Sequence, residues 1–189
     1  MPMITQISED MIRGSITRAV QDVFKTMLHH DVVFAGASSS LNPDEGAPPL
    51  VVTESVPQVV GTVGFIGEAN GLIYLYISDE FARRLTGEML GMTPEEVAAG
   101  GDEVVNDAIG EITNMTVGGF KNALCDTGFP CKLTITSILR GSNFSVEPIS
   151  SATRYNFSVE PISSATRYIF HFNCAGYRLV SDILMKIGD

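Results

Sequence analysis

The sequence has few basic residues for its length, and this shortage excludes two classes of partner. Twelve Lys and Arg stand against twenty-two Asp and Glu, which leaves a net charge of −10 over 189 residues. Nucleic acids and anionic membranes bind proteins through clusters of cations that neutralise phosphate groups. We therefore expect a protein that binds neither nucleic acid nor a membrane surface.

Long apolar runs and export signals are also missing. The longest apolar stretch, Leu72–Ile77, is far shorter than the ~20 residues that cross a bilayer. The first residues, MPMITQISED, have neither the basic segment nor the apolar segment of a secretion signal. Both absences lead us to expect a soluble protein of the cytoplasm.

Cysteine and histidine are too few and too scattered for a metal site or a disulfide framework. Cys125, Cys131 and Cys174 form no CxxC pair, and the three histidines lie at no ligand spacing from them. Phosphate-binding loops, the GxSxG motif, the HExxH motif and the dinucleotide fingerprint after a strand are all absent. The sequence thus predicts buried free thiols, no metal and no cofactor bound by the chain itself.

The sequence does contain enough apolar residues to form one folded domain, which we expect to span residues 1–189. Hydrophobic residues make up 44% of the chain and charged residues 18%, a balance that excludes intrinsic disorder. Ser8, Ser78 and the capping box Thr93–Glu96 mark helix starts, and Gly91 marks a helix end.

Helices and strands are predicted in separate groups. Apolar periodicity predicts helices at 10–28, 79–90 and about 102–124, with a further helix start at Thr93. It predicts strands at 32–34, within 50–77 around a hairpin turn at 68–71, at 132–139, and as a terminal hairpin of 167–174 and 177–187, with a loop at 38–49. The fold class is therefore α+β: an antiparallel sheet of about six strands with helices packed on one face.

One segment is repeated. Residues 143–155, NFSVEPISSATRY, recur without a change as residues 156–168. Structural repeats are longer and diverge, so an unaltered copy of this length is no unit of architecture. The downstream strand should use Thr166 to Phe172, and the upstream one Asn143 to Ile149. The residues left over between these two strands should form a loop at the surface. Phe157 and Val159 should then be less buried than the corresponding residues of the first copy. A domain swap or an additional strand in the sheet is the alternative.

The third helix contains a polar stripe. Asp107, Glu111, Asn114 and Gly118 follow one another at helical spacing, opposite an apolar face. A solvated helix face has the same pattern. Asn114 is a poor helix former, however, and the Gly118-Gly119 pair costs about 1 kcal/mol per glycine relative to Ala. A binding partner that approaches the backbone closely would account for both the asparagine and the glycine pair.

In this context the sequence resembles the CheC/CheX/FliY family of bacterial chemotaxis phosphatases. Asp107-x3-Glu111-x2-Asn114 matches the family signature, and GFIG at 64–67, NGLIYL at 70–75 and MLGM at 89–92 are similar to CheX. The likeness extends over roughly residues 8–189. The first helix offers no second ExxN motif, which resembles the single-site CheX type and its CheC-like fold.

The resemblance implies a phosphatase acting on the aspartyl phosphate of a CheY-type response regulator. Glu111 and Asn114 are then the catalytic residues, with Asp107 and Gly118 as accessory candidates. Mg²⁺ is expected on the phosphorylated receiver and not on this chain. The resemblance also implies a homodimer, formed through edge strands.

Two other functions remain open at this stage. The same surface could bind a receiver domain and sequester it without hydrolysis, or the chain could be a dimeric adaptor. Asn114 favours the enzyme, whereas Thr136 and Ser137, standing where the family pattern has a proline, favour a binding module.

Overall fold

The computed structural model describes residues 7–40, 56–142 and 165–187. Three helices and seven strands are present in this part of the chain, and most of the predicted elements are confirmed. In chain order they are α1 (Glu9–Leu28), β1 (Val32–Ser40), β2 (Gln58–Gly67), β3 (Ala69–Ser78), α2 (Asp79–Leu90), α3 (Pro94–Asp126), β4 (Cys131–Leu133), β5 (Ser137–Gly141), β6 (Thr166–Cys174) and β7 (Tyr177–Ile187).

The helices begin at the caps that the sequence predicts. The Ser8 side chain accepts a hydrogen bond from the Met11 N–H at the start of α1, and Ser78 caps α2 in the same way. α3 opens with a capping box, because Thr93 and Glu96 each accept from the other's backbone N–H. These contacts satisfy N–H groups that have no partner inside the helix.

α3 is interrupted seven residues after it begins. Gly101 has φ 68° and ψ −162°, so two helical segments meet there at a kink. Only glycine adopts such a backbone conformation at little cost. The second segment, from Asp102 onward, corresponds to the helix predicted at 102–124.

The seven strands form one antiparallel sheet, which confirms the predicted fold class with one strand more than expected. The order is β1-β6-β7-β3-β2-β4, and β5 also pairs with β2. In the described part of the chain, β1 therefore lies at one edge, and β4 and β5 lie in succession at the other.

Two strand predictions were wrong in extent. β1 continues from Val32 to Ser40, beyond the predicted 32–34, because its serines pair with β6 from Ile169 to Arg167. The predicted strand at 132–139 is two strands, since the Thr134 N–H donates to the Gly64 carbonyl at 2.8 Å while its hydroxyl accepts from the Gly64 N–H at 2.9 Å. This pairing takes the chain out of the ladder between β4 and β5.

The hairpins are present, with one shift of boundary. β3 begins at Ala69, inside the predicted turn 68–71, because residues 69–71 already pair with β7. The terminal hairpin turns at Ala175 and Gly176, both with positive φ, as predicted. β6 starts at Thr166 as predicted for the downstream copy; the upstream strand, Phe157 and Val159 lie outside the described residues.

The core lies between the sheet and the helices. Phe120 of α3 packs edge-on against Phe65 of β2, with ring centroids 5.9 Å apart. Thr113 of the same helix lies directly on Gly61 of β2, where a Cβ would overlap its hydroxyl. The missing side chain at Gly61 is what lets α3 lie this close to the sheet.

The thiols are free, but only two of the three are buried as predicted. Cys131 and Cys174 are buried, whereas Cys125 near the end of α3 is half-buried. Burial raises the pKa of Cys174 to about 11. Within the described ranges, none of the helices is both long and apolar enough to cross a membrane.

Candidate functional site

The exposed face of α3 carries the predicted site residues. Asp107, Glu111 and Asn114 are all exposed, and Gly118 is half-buried on the same line. Glu111 and Asn114 are one turn apart, so their Cβ atoms lie about 5–6 Å from each other. The placement predicted for this stripe is confirmed.

The opposite face of α3 fixes this orientation. Val105, Ile109 and Ile112 have at most 1% of their surface exposed, as the apolar periodicity predicts. Thr113, next to the stripe, is fully buried on Gly61, and its hydroxyl donates to the Ile109 carbonyl at 2.7 Å. Burial of one face leaves Glu111 and Asn114 no position except the surface.

Glu111 and Asn114 have no partner within the described residues. Neither side chain makes a hydrogen bond or an ion pair to any residue of the ranges 7–40, 56–142 and 165–187. An exposed carboxylate and an exposed amide are thus available side by side. The carboxylate can accept hydrogen bonds only, whereas the amide can donate and accept at the same time.

The two consecutive glycines of α3 have different surroundings. A Cβ at Gly119 would lie 3.1 Å from the Cβ of Ala19, so this glycine admits α1 to close contact. A Cβ at Gly118 would meet no atom within 4 Å. Helix packing therefore accounts for Gly119, and nothing within the described chain requires a glycine at position 118.

We expect Gly118→Ala to raise the free energy of unfolding by about 0.5–1 kcal/mol, the usual gain of Ala over Gly within a helix. Urea denaturation followed by circular dichroism measures it. Gly119→Ala is the matched control, and it should gain less because its methyl group presses on Ala19. A loss of stability in Gly118→Ala would contradict the open surroundings of this position.

A polar cluster joins the sheet edge to the start of the second segment of α3. Arg140 of β5 donates through Nε to Oδ1 of Asn106 at 2.6 Å and through Nη1 to Oδ1 of Asp79 at 2.6 Å. Arg83 of α2 donates to Oδ2 of Asp79 at 2.7 Å and to Oδ1 of Asp102 at 2.5 Å. Two guanidinium groups and two carboxylates thus balance in charge beside the kink.

Asp79 lies at the centre of the cluster. Burial alone would raise its pKa, but the hydrogen bonds from Arg83 and Arg140 outweigh burial and hold the pKa below its usual value of 3.8. Because the pKa is lower in the folded state, the stabilisation is present at neutral pH and is lost only as the pH falls below 3.8.

Metal ligands do not gather at this site. Among residues 7–40, 56–142 and 165–187, no three His, Cys, Asp or Glu side chains are grouped so that they could hold a metal ion. The stripe on the exposed face of α3 presents the carboxylates of Asp107 and Glu111 and the amide of Asn114.

The seven-stranded antiparallel sheet, with α3 exposing a carboxylate and an amide one turn apart, places the chain in the class of CheC-like α+β folds. The family model described as chemotaxis phosphatase CheX matches residues 59–160, which include β2 from its second residue, β3, α2, α3 and the stripe. The chain belongs to this CheX family. A sequence comparison with curated proteins finds no match.

Solved structures agree with the family assignment. A CheC-like superfamily protein from Shewanella sp. PV-4 is 21% identical with a TM-score of 0.68, over 95% of this chain and 99% of the other. CheX from Desulfovibrio desulfuricans is 18% identical with a TM-score of 0.68, over 93% and 99%. The CheX–CheY–BeF3–Mg²⁺ complex from Borrelia burgdorferi is 18% identical with a TM-score of 0.57, over 93% and 97%. At these identities the likeness shows a shared fold.

Sequence reasoning missed the cluster of Arg140, Asn106, Asp79 and Arg83. Arg140 is separated from Asn106 by 34 residues and from Asp79 by 61, so local spacing gives no sign of either contact. The one feature of the sequence that points to this cluster is Arg140 itself, an arginine on a short edge strand that follows α3 closely in the sequence.

Proposed function

We propose that this protein is a phosphatase that hydrolyses the aspartyl phosphate of a CheY-type receiver domain in bacterial chemotaxis or a related two-component pathway. One observation carries the proposal: in a member of the CheX family, Glu111 and Asn114 stand one turn apart on an exposed helix face with no partner in the described chain. A solved neighbour that is a CheX–CheY complex supports a receiver as the partner. Residues 1–189 would act as one cytoplasmic domain.

The reaction needs little from the phosphatase. An acyl phosphate has a good leaving group, and the receiver supplies Mg²⁺ and a lysine to neutralise the phosphoryl oxygens. Water attacks phosphorus while the bond to the aspartate oxygen breaks, which releases inorganic phosphate and the free carboxylate. The remaining task is to place the water in line, and no cofactor of this chain is required.

Asn114 suits that task because of its amide. Its carbonyl oxygen accepts a hydrogen bond from the attacking water, while its NH₂ group donates to a phosphoryl oxygen. A carboxylate at the same place would repel the phosphoryl group. The exposed position of Asn114 on α3 allows the side chain to enter the receiver's active site.

Glu111 is assigned to docking. One turn before Asn114, its carboxylate can pair with the lysine of the receiver and so fix where the amide lies over the phosphoryl group. Asp107, one turn earlier again, and Gly118 are accessory contacts in the same proposal.

We expect Glu111→Gln to weaken receiver binding by about tenfold, because a charge-assisted hydrogen bond becomes a neutral one. Affinity should also depend less on salt concentration. Titration calorimetry at two salt concentrations measures both effects. Glu95→Gln, an exposed acid in the first turn of α3 before the kink, removes the same charge and should leave both unchanged. Equal affinities for wild type and Glu111→Gln would refute the docking role.

The experiment that tests the function is the loss of radiolabel from a set of phosphorylated receivers, with and without this protein. We expect one or more receivers to lose phosphate faster in its presence. Binding of phosphorylated receivers with no acceleration in any of them would identify a sequestering module or an adaptor instead.

We propose that the functional form is a homodimer joined by edge strands. In the described sheet, β1 is at one edge and β4 and β5 are at the other. Edge strands are the part of a sheet that can pair with a strand of another chain. Light scattering at micromolar concentration should give about twice the chain mass of 20.3 kDa. A mass equal to one chain would count against the dimer.

A further inference from the structure

The second segment of α3 does not continue the axis of the first. At Gly101 the backbone leaves helical geometry, so the helical hydrogen-bond pattern of the segment from Pro94 to Gly100 does not run on into the segment from Asp102 onward. Glu111 and Asn114 lie on this second segment. Their place in space depends on what the segment contacts after the kink.

Arg140 is a side chain of the sheet edge that forms hydrogen bonds to this segment. Its Nε donates to the side chain of Asn106 at 2.6 Å and its Nη2 to the carbonyl of Asp102 at 3.4 Å. Through Nη1 it also holds Asp79, the first residue of α2, at 2.6 Å. One rigid guanidinium therefore connects β5, α2 and α3.

The side of α3 that carries Asn106 faces β5 for at least one more turn in the direction of Asn114. A Cβ at Gly110, one turn after Asn106, would lie 4.0 Å from Ile138 Cδ1 on β5. Asn114 follows one turn later, about 12 Å along the axis from Asn106. A roll of about 10° would move the tip of its side chain, about 6 Å from the axis, by about 1 Å.

We propose that Arg140 is a positioning residue for the Glu111–Asn114 pair. The buried face of α3 fixes which side of the helix is exposed. By holding Asn106, Arg140 sets the fine adjustment of the roll within that packing, and with it the point at which the Asn114 amide meets the phosphoryl group. For its catalytic consequence this inference rests on the proposed phosphatase function.

Arg83 forms no hydrogen bond to Asn106, although it shares two partners with Arg140. It binds the side chains of Asp79 and Asp102 and reaches no residue of α3 beyond Asp102. Arg140 has 22% of its side chain exposed and Arg83 37%. Arg140, the less exposed of the two, is thus the arginine that forms a hydrogen bond to α3 beyond Asp102.

Steady-state kinetics on the cognate receiver test the catalytic consequence. Arg140→Ala should lower kcat about tenfold while KM changes less than about threefold, because a misplaced amide weakens the transition state more than docking. Asn106→Ala should show the same loss, and the double variant should be no worse than either single one. Arg140→Lys should recover little, since one ammonium cannot hold both Asn106 and Asp79.

Arg84→Ala is the matched control. Arg84 pairs with Glu88 inside α2 at 2.9 Å and forms no hydrogen bond or ion pair with α3 among the described residues, so kcat and KM should both stay within about twofold. A purely structural role for Arg140 predicts a lower melting temperature with kcat per folded molecule unchanged. That result, or additive losses in the double variant, would overturn the proposal.

A second readout separates this inference from the proposed function. In wild-type protein labelled with ¹⁵N, the Asn114 side-chain amide and the backbone amides of 103–114 report the place of α3 without any receiver present. Arg140→Ala should shift the Asn114 amide signals and raise hydrogen exchange over 103–114 about tenfold, with Arg84→Ala unchanged. Unchanged signals in Arg140→Ala would refute positioning even if the wild type is a phosphatase; shifted signals would support it even if the wild type hydrolyses nothing.

Discussion

Replacing Asn114 with Ala is expected to slow phosphate release from the bound cognate receiver by about 100-fold or more. The substitution removes the group that we propose to hold the attacking water and leaves the rest of the exposed face of α3 intact. Loss of one preorganised hydrogen-bonding group in a transition state has typical costs of this size. Single-turnover decay of phosphorylated receiver at saturating protein measures the chemical step without interference from binding.

Binding and a neighbouring asparagine provide the controls for this prediction. Asn114→Ala should bind the phosphorylated receiver about as tightly as the wild type, because it keeps the Glu111 carboxylate that we propose to pair with the receiver's lysine. Asn122→Ala, an exposed asparagine two turns further along α3, should keep full activity. Full activity in Asn114→Ala on the cognate receiver would show that the proposed mechanism is wrong.

Gly61→Ala is expected to cost about 1–3 kcal/mol of unfolding free energy, the usual penalty for an added group in a packed core. Its methyl group would overlap Oγ1 of Thr113 and lie 2.7 Å from Cβ and 2.8 Å from Cγ2 of the same residue. Thr113 has no exposed surface and cannot turn away. α3 must therefore move off β2, which should displace Asn114 and lower phosphatase activity as well. Chemical denaturation measures the first effect.

Gly110, a glycine of α3 that faces β5 instead of β2, serves as the control. Gly110→Ala would meet only Ile138 Cδ1 at 4.0 Å, an ordinary contact, so it should be neutral or stabilising. Thr113→Ala should rescue Gly61→Ala in part only, since the Cβ at position 113 stays 2.7 Å away. An unfolding free energy for Gly61→Ala equal to that of the wild type would contradict the close packing described for α3 and β2.

The features that the sequence predicted correctly are those determined within a few residues. The caps at Ser8, Ser78 and Thr93 each bond to a backbone group three residues on, so sequence spacing is sufficient to find them. The stripe on α3 also follows from spacing alone. Because a buried face fixes an exposed one, the apolar periodicity of α3 was enough to predict that Glu111 and Asn114 are exposed.

What the sequence could not predict depends on distant pairing. Ser39 and Ser40 are strand residues because β6 pairs with them from more than a hundred residues away. Thr134 interrupts its strand because it bonds to Gly64, 70 residues earlier. The sequence does not distinguish Gly118 from Gly119, because the difference between them is a contact of Gly119 with Ala19 of α1. Tertiary contacts override local propensity in each case.

Turnover is the most direct test of the central claim, that this member of the CheX family is a catalyst acting through Glu111 and Asn114. Phosphorylated cognate receiver with Mg²⁺ is mixed with a small fraction of its concentration of this protein, and inorganic phosphate is followed continuously. We predict release of many phosphates per protein chain, at a rate that saturates with receiver concentration. Release at the spontaneous rate, with the protein merely bound to its own molar amount of receiver, would contradict the claim.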